Sequence, residues 1–200
     1  MNFRRIFLVK CFLLLFPSVK CSSTKLIYKA VNETVLLSIA AAQSMHEVAW
    51  KRDGQSLIQM KDNILKYYVN KNVCRCKILP NGTLQIQQVE KKDSGNYTGT
   101  AYRKDGKWIA EEHIMFFVQE PVPQPILSAE CVNKTVFVKC EVKQKAKDEL
   151  FIMELTQFKG RKIQKNVTIL ELNTRHPGTF RCVVKNQASE KMTEKVFTCS

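Results

Sequence analysis

The stretch from Asp93 to Trp108 constrains the fold more than any other part of the chain. It begins as Asp93-Ser94-Gly95-Asn96-Tyr97, alternates from Thr98 to Tyr102 and turns at Asp105-Gly106. Such alternation predicts a strand with two different faces, and Asp-Gly predicts a hairpin turn. A tyrosine in an Asp-x-Gly-x-Tyr pattern is typical of a corner residue, whose hydroxyl bonds back to nearby backbone in a two-sheet sandwich. The stretch therefore predicts a sandwich strand that leads into a hairpin.

Short apolar or alternating runs recur from Leu26 onward, and turn residues interrupt them every ~8–12 residues. Trp50 stands where an immunoglobulin sandwich has its buried tryptophan, on strand C. The extra strands between C and E indicate a variable-type domain. In the first half we predict strands B, C, C′, a further edge strand, E, F and G at residues 33–41, 48–51, 56–60, 64–69, 83–89, 96–102 and 108–119.

The first half lacks the cysteines that usually join the two sheets of such a domain. Gly99 occupies the position two residues after Tyr97, and the facing position on strand B falls near Leu37. An apolar residue and a glycine cannot form a covalent bond. We therefore expect this domain to rely on packing, without the ~2–4 kcal/mol that a disulfide typically contributes.

The second half follows a segment with three prolines in residues 119–125, which predicts a short, semi-rigid linker. Beyond it we predict strands B, C, E and F at residues 135–142, 150–155, 167–172 and 178–184, as a constant-type sandwich. The predicted fold class is all-β, with two tandem immunoglobulin-like sandwiches. The predicted divisions are a signal peptide (1–21), a variable-type domain (22–119), a linker (120–125) and a constant-type domain (126–200).

Six cysteines remain once Cys11 and Cys21 are assigned to the leader. Cys140 and Cys182 lie on predicted strands B and F of the second sandwich, so we expect them to pair. Cys131 precedes strand B and Cys199 ends strand G, and these strands can meet at the end of the domain. We therefore predict the disulfides Cys131–Cys199 and Cys140–Cys182.

Cys74-Arg75-Cys76 is harder to assign, because a bond between residues two apart is strained. The sequence leaves four possibilities for this pair: a strained local bridge, free thiols, a covalent dimer, or metal ligands with His46 or His113. Metal is the least favoured of the four, since tetrahedral zinc needs four ligands at a recognisable spacing.

The N-terminal residues indicate secretion. Arg4 and Arg5 precede an apolar run from Cys11 to Phe16, which is typical of a signal peptide. The leader holds four of the 32 basic residues and no acidic ones, so the formal charge falls from +14 to +10 and is spread evenly over both halves. Five glycosylation sequons favour an extracellular glycoprotein: Asn32, Asn81, Asn96, Asn133 and Asn166.

Several of these features coincide in one known family. A variable-type domain without its inter-sheet disulfide, the Asn81-Gly82-Thr83-Leu84 turn, a proline-containing linker and a second domain with four cysteines together resemble the T-cell surface antigen family called cluster of differentiation two. Its members are lymphocyte adhesion receptors related to the signalling lymphocytic activation molecules. The resemblance covers the mature chain; the departures are the Cys74/Cys76 pair and the absence of a membrane span.

The resemblance implies an extracellular adhesion and co-stimulatory receptor, whose first domain uses its G, F, C, C′ and C″ face to bind an immunoglobulin-superfamily ligand on an opposing cell. If Tyr97 and Gly99 point inward, residues 98, 100 and 102 point outward, and Lys51 points outward if Trp50 points inward. Tyr102 matches the exposed tyrosine of the family. The ligand-binding residues predicted in this way are Lys51, Gln59, Lys61, Thr100, Tyr102, Lys104, Trp108 and Glu111.

Catalysis is not expected, because His46, His113 and His176 fall on unrelated elements without a nucleophile motif. We expect no metal, no other cofactor, no small-molecule substrate and no nucleic-acid partner. The predicted location is the extracellular face of the plasma membrane, with attachment only if a span follows residue 200, and secretion is the alternative. Two other functions remain open: a secreted decoy or immune modulator of the same fold, and a cationic module for sulfated glycans.

Overall fold

The computed structural model describes residues 24–40, 45–143, 150–157 and 160–199, and strands and turns dominate them. The predicted leader, residues 1–21, lies outside the described residues. One hydrophobic core gathers residues between 35 and 118, and a second gathers residues between 122 and 184. Each half of the chain thus buries apolar side chains of its own.

The first half is a sandwich of a six-stranded and a three-stranded sheet. In chain order its elements are β1 (Lys25–Ala30), β2 (Val35–Leu37), β3 (Glu47–Arg52), β4 (Gln55–Lys61), β5 (Ile64–Tyr67), α1 (Lys71–Cys74), β6 (Cys76–Ile78), β7 (Leu84–Ile86), a 3-10 turn (Lys91–Asp93), β8 (Gly95–Tyr102) and β9 (Trp108–Gln119). The larger sheet has the order β1-β9-β8-β3-β4-β5, and the smaller one β2-β7-β6. Strand β1 runs parallel to β9. The strands C′ and C″ (β4 and β5) make this a variable-type domain.

Alternation along the strands builds the first core. Trp50, Tyr97 and Phe116 are fully buried on the inner side of the larger sheet, and Leu37 and Leu84 are fully buried in the smaller one. Side chains alternate across a strand, so the neighbours of these residues in sequence turn outward. The core therefore determines which residues the larger sheet presents on its outer face.

Tyr97 adopts the expected corner arrangement. Its hydroxyl donates a hydrogen bond to the backbone oxygen of Asp93 at 2.7 Å. Burial raises the pKa of Tyr97 to about 12, because the phenolate is poorly solvated inside the sandwich. The hydroxyl therefore stays protonated and tethers β8 to the 3-10 turn that precedes it.

The second half is also a two-sheet sandwich. Its strands are β10 (Ile126–Val132), β11 (Thr135–Glu141), β12 (Ile152–Gln157), β13 (Gly160–Lys165), β14 (Ile169–Thr174), β15 (Gly178–Lys185) and β16 (Glu190–Phe197). One sheet has the order β10-β11-β14 and the other β13-β12-β15-β16. Cys140 bonds to Cys182 between the two sheets, and Cys131 bonds to Cys199 at the end of the domain. The predicted fold class, with a first sandwich that lacks the inter-sheet disulfide and a second that has two disulfides, is confirmed.

Several strand predictions need correction. Strand B spans only residues 35–37 instead of 33–41, and strand E spans 84–86 instead of 83–89. Both strands are limited by their short pairing with each other, which involves three residue pairs. The prediction of strand B also extends to residue 41, which lies outside the described residues. Neither α1 nor β13 was predicted.

The Cys74/Cys76 pair forms a local disulfide in the structure, which is the first of the four possibilities that the sequence left open. Cys74 ends α1 and Cys76 begins β6, so the pair does not lie on one extended strand. Arg75 between them has a left-handed backbone, with φ of 50° and ψ of 25°. This turn brings the two sulfur atoms to the same side.

The linker contacts the second sandwich. Val122 is buried in the second core, and its backbone nitrogen donates to Ser189 Oγ at 2.8 Å. Asn186 Nδ2 donates to the backbone oxygen of Glu120 at 2.9 Å, and Thr193 Oγ1 donates to that of Pro125 at 2.6 Å. These bonds attach the linker alongside β16.

Candidate binding face of the first domain

The outer surface of the six-stranded sheet carries the candidate binding site. On β8, Tyr97 and Ala101 are buried with Gly99 on the inner side, whereas Thr98, Thr100 and Tyr102 are partly exposed. We call this outer surface, from β9 across β8, β3 and β4 to β5, the front face. Its residues are aligned in rungs, because strand register places them side by side across the sheet.

Two tight turns set the register of strands β3, β4 and β5. Asp53 and Gly54 have φ of 49° and 80°, and Asp62 and Asn63 have φ of 50° and 62°. Two successive residues with positive φ are characteristic of type I′ hairpin turns, which match the twist of the flanking strands. Asp53 Oδ1 also accepts a hydrogen bond from the backbone nitrogen of Asn96 at 2.9 Å. The turns thereby align β3 and β4 with β8.

The top rung contains the two aromatic residues of the prediction, Tyr102 and Trp108. In the strand register, Lys61 pairs with Glu47, Glu47 with Tyr102, and Tyr102 with Trp108. Lys61 Nζ lies 3.3 Å from Glu47 Oε2. Trp108 is 53% exposed, whereas Tyr102 is partly covered. This end of the front face offers aromatic surface beside an ion pair.

The middle rung is polar and has a small residue at its centre. In the register, Gln59 pairs with Ala49, Ala49 with Thr100, and Thr100 with Glu111. Gln59 Nε2 donates to Glu47 Oε1 at 2.5 Å, and Tyr68 Oη donates to Gln59 Oε1 at 2.6 Å. These bonds fix the Gln59 side chain, so its polar groups are held in one orientation.

The lower rung carries the cation that the sequence places beside strand F. Lys51 pairs with Thr98 in the register, and Thr98 pairs with His113. His113 Nε2 lies 2.9 Å from Glu111 Oε1, and His113 Nδ1 lies 3.3 Å from Thr98 Oγ1. Lys51 is exposed and forms no ion pair with any described residue. Its charge is therefore available to a partner.

Seven of the eight predicted residues lie on these three rungs, and the eighth, Lys104, does not. Lys104 belongs to the hairpin turn between β8 and β9, which is closed by a hydrogen bond from Arg103 N to Lys107 O at 2.9 Å. The turn follows Tyr102 directly and precedes Trp108. Lys104 can thus contribute only at the top edge of the front face.

Sequence reasoning missed several residues of the front face, among them Glu47, Lys66, Tyr68 and His113. Glu47 has the same parity as Lys51 on strand C, so extending the strand backward would have revealed it. Lys66 pairs with Gln59 in the register, and its Nζ lies 4.8 Å from the ring centre of Tyr68. No signal in the sequence alone gives that pairing, because it depends on how β5 aligns with β4.

The five sequon asparagines are all exposed, and one of them stands on the front face. Asn96 lies on β8 with the parity of Thr98, below the lower rung, and pairs with Met115 in the register. Asn32, Asn133 and Asn166 occupy turns with positive φ, and Asn81 lies in the turn before β7. Whatever is attached at Asn96 would adjoin the lower end of the front face only.

The front face offers groups suited to recognition: charged side chains, hydroxyl and amide groups, and aromatic rings. Within the described residues, no cluster of three or more His, Cys, Asp or Glu side chains could hold a metal ion. No helix among those residues is long and apolar enough to cross a membrane. What the geometry provides is a broad, mostly polar surface with aromatic residues at one end.

Sequence comparisons find several relatives with one name. The chain is 28% identical over 177 residues to the T-cell surface antigen CD2 of Equus caballus, covering 86% of this chain and 48% of that protein. It is also 28% identical over 199 residues to the T-cell surface antigen CD2 of Rattus norvegicus, covering 96% and 56%. The chain thus spans about half the length of these relatives. No protein-family model matches it.

Solved structures share the two-domain fold. The crystal structure of the CD2-binding domain of CD58, lymphocyte function-associated antigen 3, superposes with a TM-score of 0.65 at 21% identity, covering 89% of this chain and 99% of that one. Murine CEACAM1b superposes with a TM-score of 0.57 at 20% identity, covering 86% and 96%. The chain therefore has two immunoglobulin-like sandwich domains and resembles the T-cell surface antigen CD2 over most of its length.

Proposed function

We propose that this chain is the extracellular part of a lymphocyte adhesion and co-stimulatory receptor, which binds an immunoglobulin-superfamily protein on an opposing cell through the front face. The main support for the proposal is the set of three aligned rungs. They bring together the unpaired Lys51, the ion pair between Lys61 and Glu47, and the aromatic side chains of Tyr102 and Trp108. Such a surface suits weak, selective contact between two broad sheets.

The comparisons support this function. The curated relatives are named T-cell surface antigens, and one solved structure of similar fold is described as a domain that binds CD2. A ligand of the same superfamily would present a sheet of similar size, which fits the broad front face. Tyr102 and Trp108 would supply most of the binding energy, since aromatic residues are enriched among interface hot spots.

The charges of the front face favour an acidic partner. Lys51 and Lys66 add to the cationic side, whereas Glu47 and Glu111 are engaged with Lys61 and His113. Complementary charges mainly raise the association rate and exclude wrong partners. We therefore expect a counter-face with exposed carboxylates opposite Lys51.

The test uses cells that each display one immunoglobulin-superfamily surface protein, CD58 included, and fluorescent multimers of the secreted chain. Tyr102→Ala and Lys51→Glu should each reduce binding at least about fivefold on the cells that bind the wild type. Lys77→Glu is the matched control, because Lys77 is exposed on β6 of the opposite sheet. Unchanged binding by both front-face variants would exclude this surface.

Heparin retention distinguishes adhesion from glycan binding. A cationic module for sulfated glycans would retain its affinity for heparin in Tyr102→Ala, because the tyrosine carries no charge. It would lose affinity with either Lys51→Glu or Lys77→Glu, since both remove a positive charge from the surface. Selective loss with Lys51→Glu on ligand-bearing cells is expected only for the proposed receptor.

A further inference from the structure

The outer face of the second sandwich's larger sheet has an ordered charge pattern that the proposed function does not use. Strands β13, β12, β15 and β16 lie side by side in this order. We call their outward surface the second-domain face. Three rungs cross it: Arg161, Thr156, Arg181 and Glu194 in the first, Ile163, Glu154, Val183 and Met192 in the second, and Lys165, Ile152, Lys185 and Glu190 in the third.

The two edges of this face carry opposite charge. Strand β13 contributes Arg161 and Lys165 on one edge, and β16 contributes Glu194 and Glu190 on the other. All four side chains are exposed. Lys165, Glu190 and Glu194 form no ion pair with any described residue.

The second rung, between the two charged ones, is apolar except for Glu154. Ile163 is 46% exposed and Met192 is 51% exposed, at opposite ends of the second rung. Val183 lies between them and is partly exposed. Apolar side chains grouped on a surface and rimmed by charge are typical of protein-interaction sites.

We propose that the second-domain face binds the same face of a second copy of the chain, in a symmetric dimer whose two-fold axis runs between the two sheets and along the strands. Rotation by 180° about such an axis leaves each rung opposite the same rung of the other copy. It reverses the order of the strands across the face. A symmetric interface of this kind must be self-complementary, since each contact occurs twice.

The pattern meets that requirement at both edges, whereas in the centre Arg181 meets Thr156 and Lys185 meets Ile152. Strand β13 of one copy faces β16 of the other, so Arg161 meets Glu194 in the first rung and Lys165 meets Glu190 in the third. In the second rung Ile163 meets Met192. Four attractive charge pairs therefore flank two apolar contacts, and no like charges are opposed at the edges.

Glu154 in the centre of the face also fits this arrangement. Its side chain is only 16% exposed, and Arg161 Nε donates to its Oε1 at 2.6 Å. In the dimer Glu154 faces Val183 of the second copy, with Arg181 and Lys185 of that copy on either side. Its negative charge would thus stay compensated when water is excluded.

The size of the face implies a weak dimer. Four strands spaced about 4.8 Å apart and three rungs spaced about 6.8 Å apart give a contact roughly 15–20 Å across in each direction, or about 200–400 Å², well below the ~800 Å² per partner of a stable interface. Packed sheets also cross at about 30°, which shifts the edges by about one residue, a distance that long Arg, Lys and Glu side chains span. We therefore expect weak self-association, which is detectable only at high protein concentration.

The test is sedimentation equilibrium of the secreted glycoprotein up to about 0.5 mM, with Lys165→Glu and Glu190→Lys as single variants. Each variant opposes like charges twice in its own homodimer, so self-association should weaken at least about tenfold. An equimolar mixture should restore it. In the mixed dimer the carboxylate introduced by Lys165→Glu meets the ammonium group introduced by Glu190→Lys, while the native pair forms on the opposite edge.

Two control variants test whether self-association uses the second-domain face. Glu130→Lys reverses an exposed charge on β10 of the opposite sheet, and Lys77→Glu reverses an exposed charge on β6 of the first domain, away from the front face. Both should associate like the wild type. A wild type that remains monomeric at 0.5 mM, equal weakening by either control, or a mixture no stronger than its components would each overturn the proposal, and none of these results bears on ligand binding by the front face.

Discussion

The indole ring of Trp50 lies against Gly99, its partner in the strand register. A Cβ atom placed on Gly99 would approach Cζ2 and Cη2 of Trp50 to 2.7 Å. Trp50 is fully buried, and its Nε1 donates to the backbone oxygen of Gly82 at 3.0 Å. The indole therefore occupies the space that a cysteine at position 99 would need, and packing takes the place of the missing inter-sheet bond.

The contact between Trp50 and Gly99 predicts the effect of adding a methyl group at position 99. Gly99→Ala should destabilise the first domain by ~1–3 kcal/mol, because the added methyl group overpacks a site that the rigid indole already fills. The expected result is a lower melting temperature of the first domain in differential scanning calorimetry, with the second domain unaffected.

A double-mutant cycle identifies the cause. In a Trp50→Phe background the ring is smaller, so Gly99→Ala should cost less than in the wild type. Equal costs in both backgrounds would mean that backbone effects, rather than the Trp50 contact, determine the requirement for glycine.

Tyr97 predicts how the first domain responds to alkaline pH. Its pKa is about 12 in the folded state, whereas an unfolded chain loses the proton near pH 10. Between these values the unfolded state binds fewer protons than the folded state, so stability falls as the pH rises, by up to ~3 kcal/mol. Urea unfolding followed by tryptophan fluorescence between pH 8 and 11.5 measures this loss, since Trp50 and Trp108 both belong to the first domain.

Tyr97→Phe is the control for that experiment. The variant loses the hydrogen bond to Asp93, which costs about 1 kcal/mol at pH 8. It should nevertheless show a shallower decline above pH 10, because the lysines titrate in both proteins and only the phenol is removed. Parallel declines would show that Tyr97 does not control alkaline unfolding.

The parity of the front face was predictable from strand F because one buried tyrosine determines its neighbours. Tyr97 inward requires Thr98, Thr100 and Tyr102 outward, and the structure has them so. Because side chains alternate along a strand, one residue of known orientation determines the orientation of its neighbours. The same argument places Lys51 outward from Trp50.

Contacts between strands were not predictable in the same way. The bond from Tyr68 to Gln59 depends on the register of β5 against β4, which is set by the Asp62-Asn63 turn. Likewise β13 forms because it pairs with β12, although its sequence has little alternation of its own. Tertiary pairing overrides weak local preference for strands.

Asp93 predicts a further stability effect, which is electrostatic. Its side chain is 6% exposed, and Oδ2 accepts from Arg75 Nη2 and from the backbone nitrogen of Glu90. Asp93→Ala should cost ~3–5 kcal/mol, because it leaves Arg75 largely buried without its carboxylate. Urea unfolding followed by tryptophan fluorescence measures the change.

Glu90→Gln provides the comparison. Glu90 also pairs with Arg75, at 3.2 Å, but its side chain is 44% exposed, so water replaces the lost interaction. The cost should stay below ~1 kcal/mol, as for other surface ion pairs. Equal costs for the two variants would contradict the assignment of Asp93 as the residue that holds Arg75.

Salt dependence gives the last prediction, which concerns the front face. If Lys51 meets an acidic counter-face, the association rate with the ligand found in the cell screen should fall several-fold between about 0.05 and 0.5 M NaCl, while the dissociation rate changes little. Surface plasmon resonance measures both rates. Lys51→Glu should reduce the slope of the association rate against salt, because it removes one of the steering charges. Lys77→Glu reverses the same charge on the opposite sheet and should leave the slope nearly unchanged. If both variants reduced the slope equally, the net charge of the chain rather than the front face would govern association.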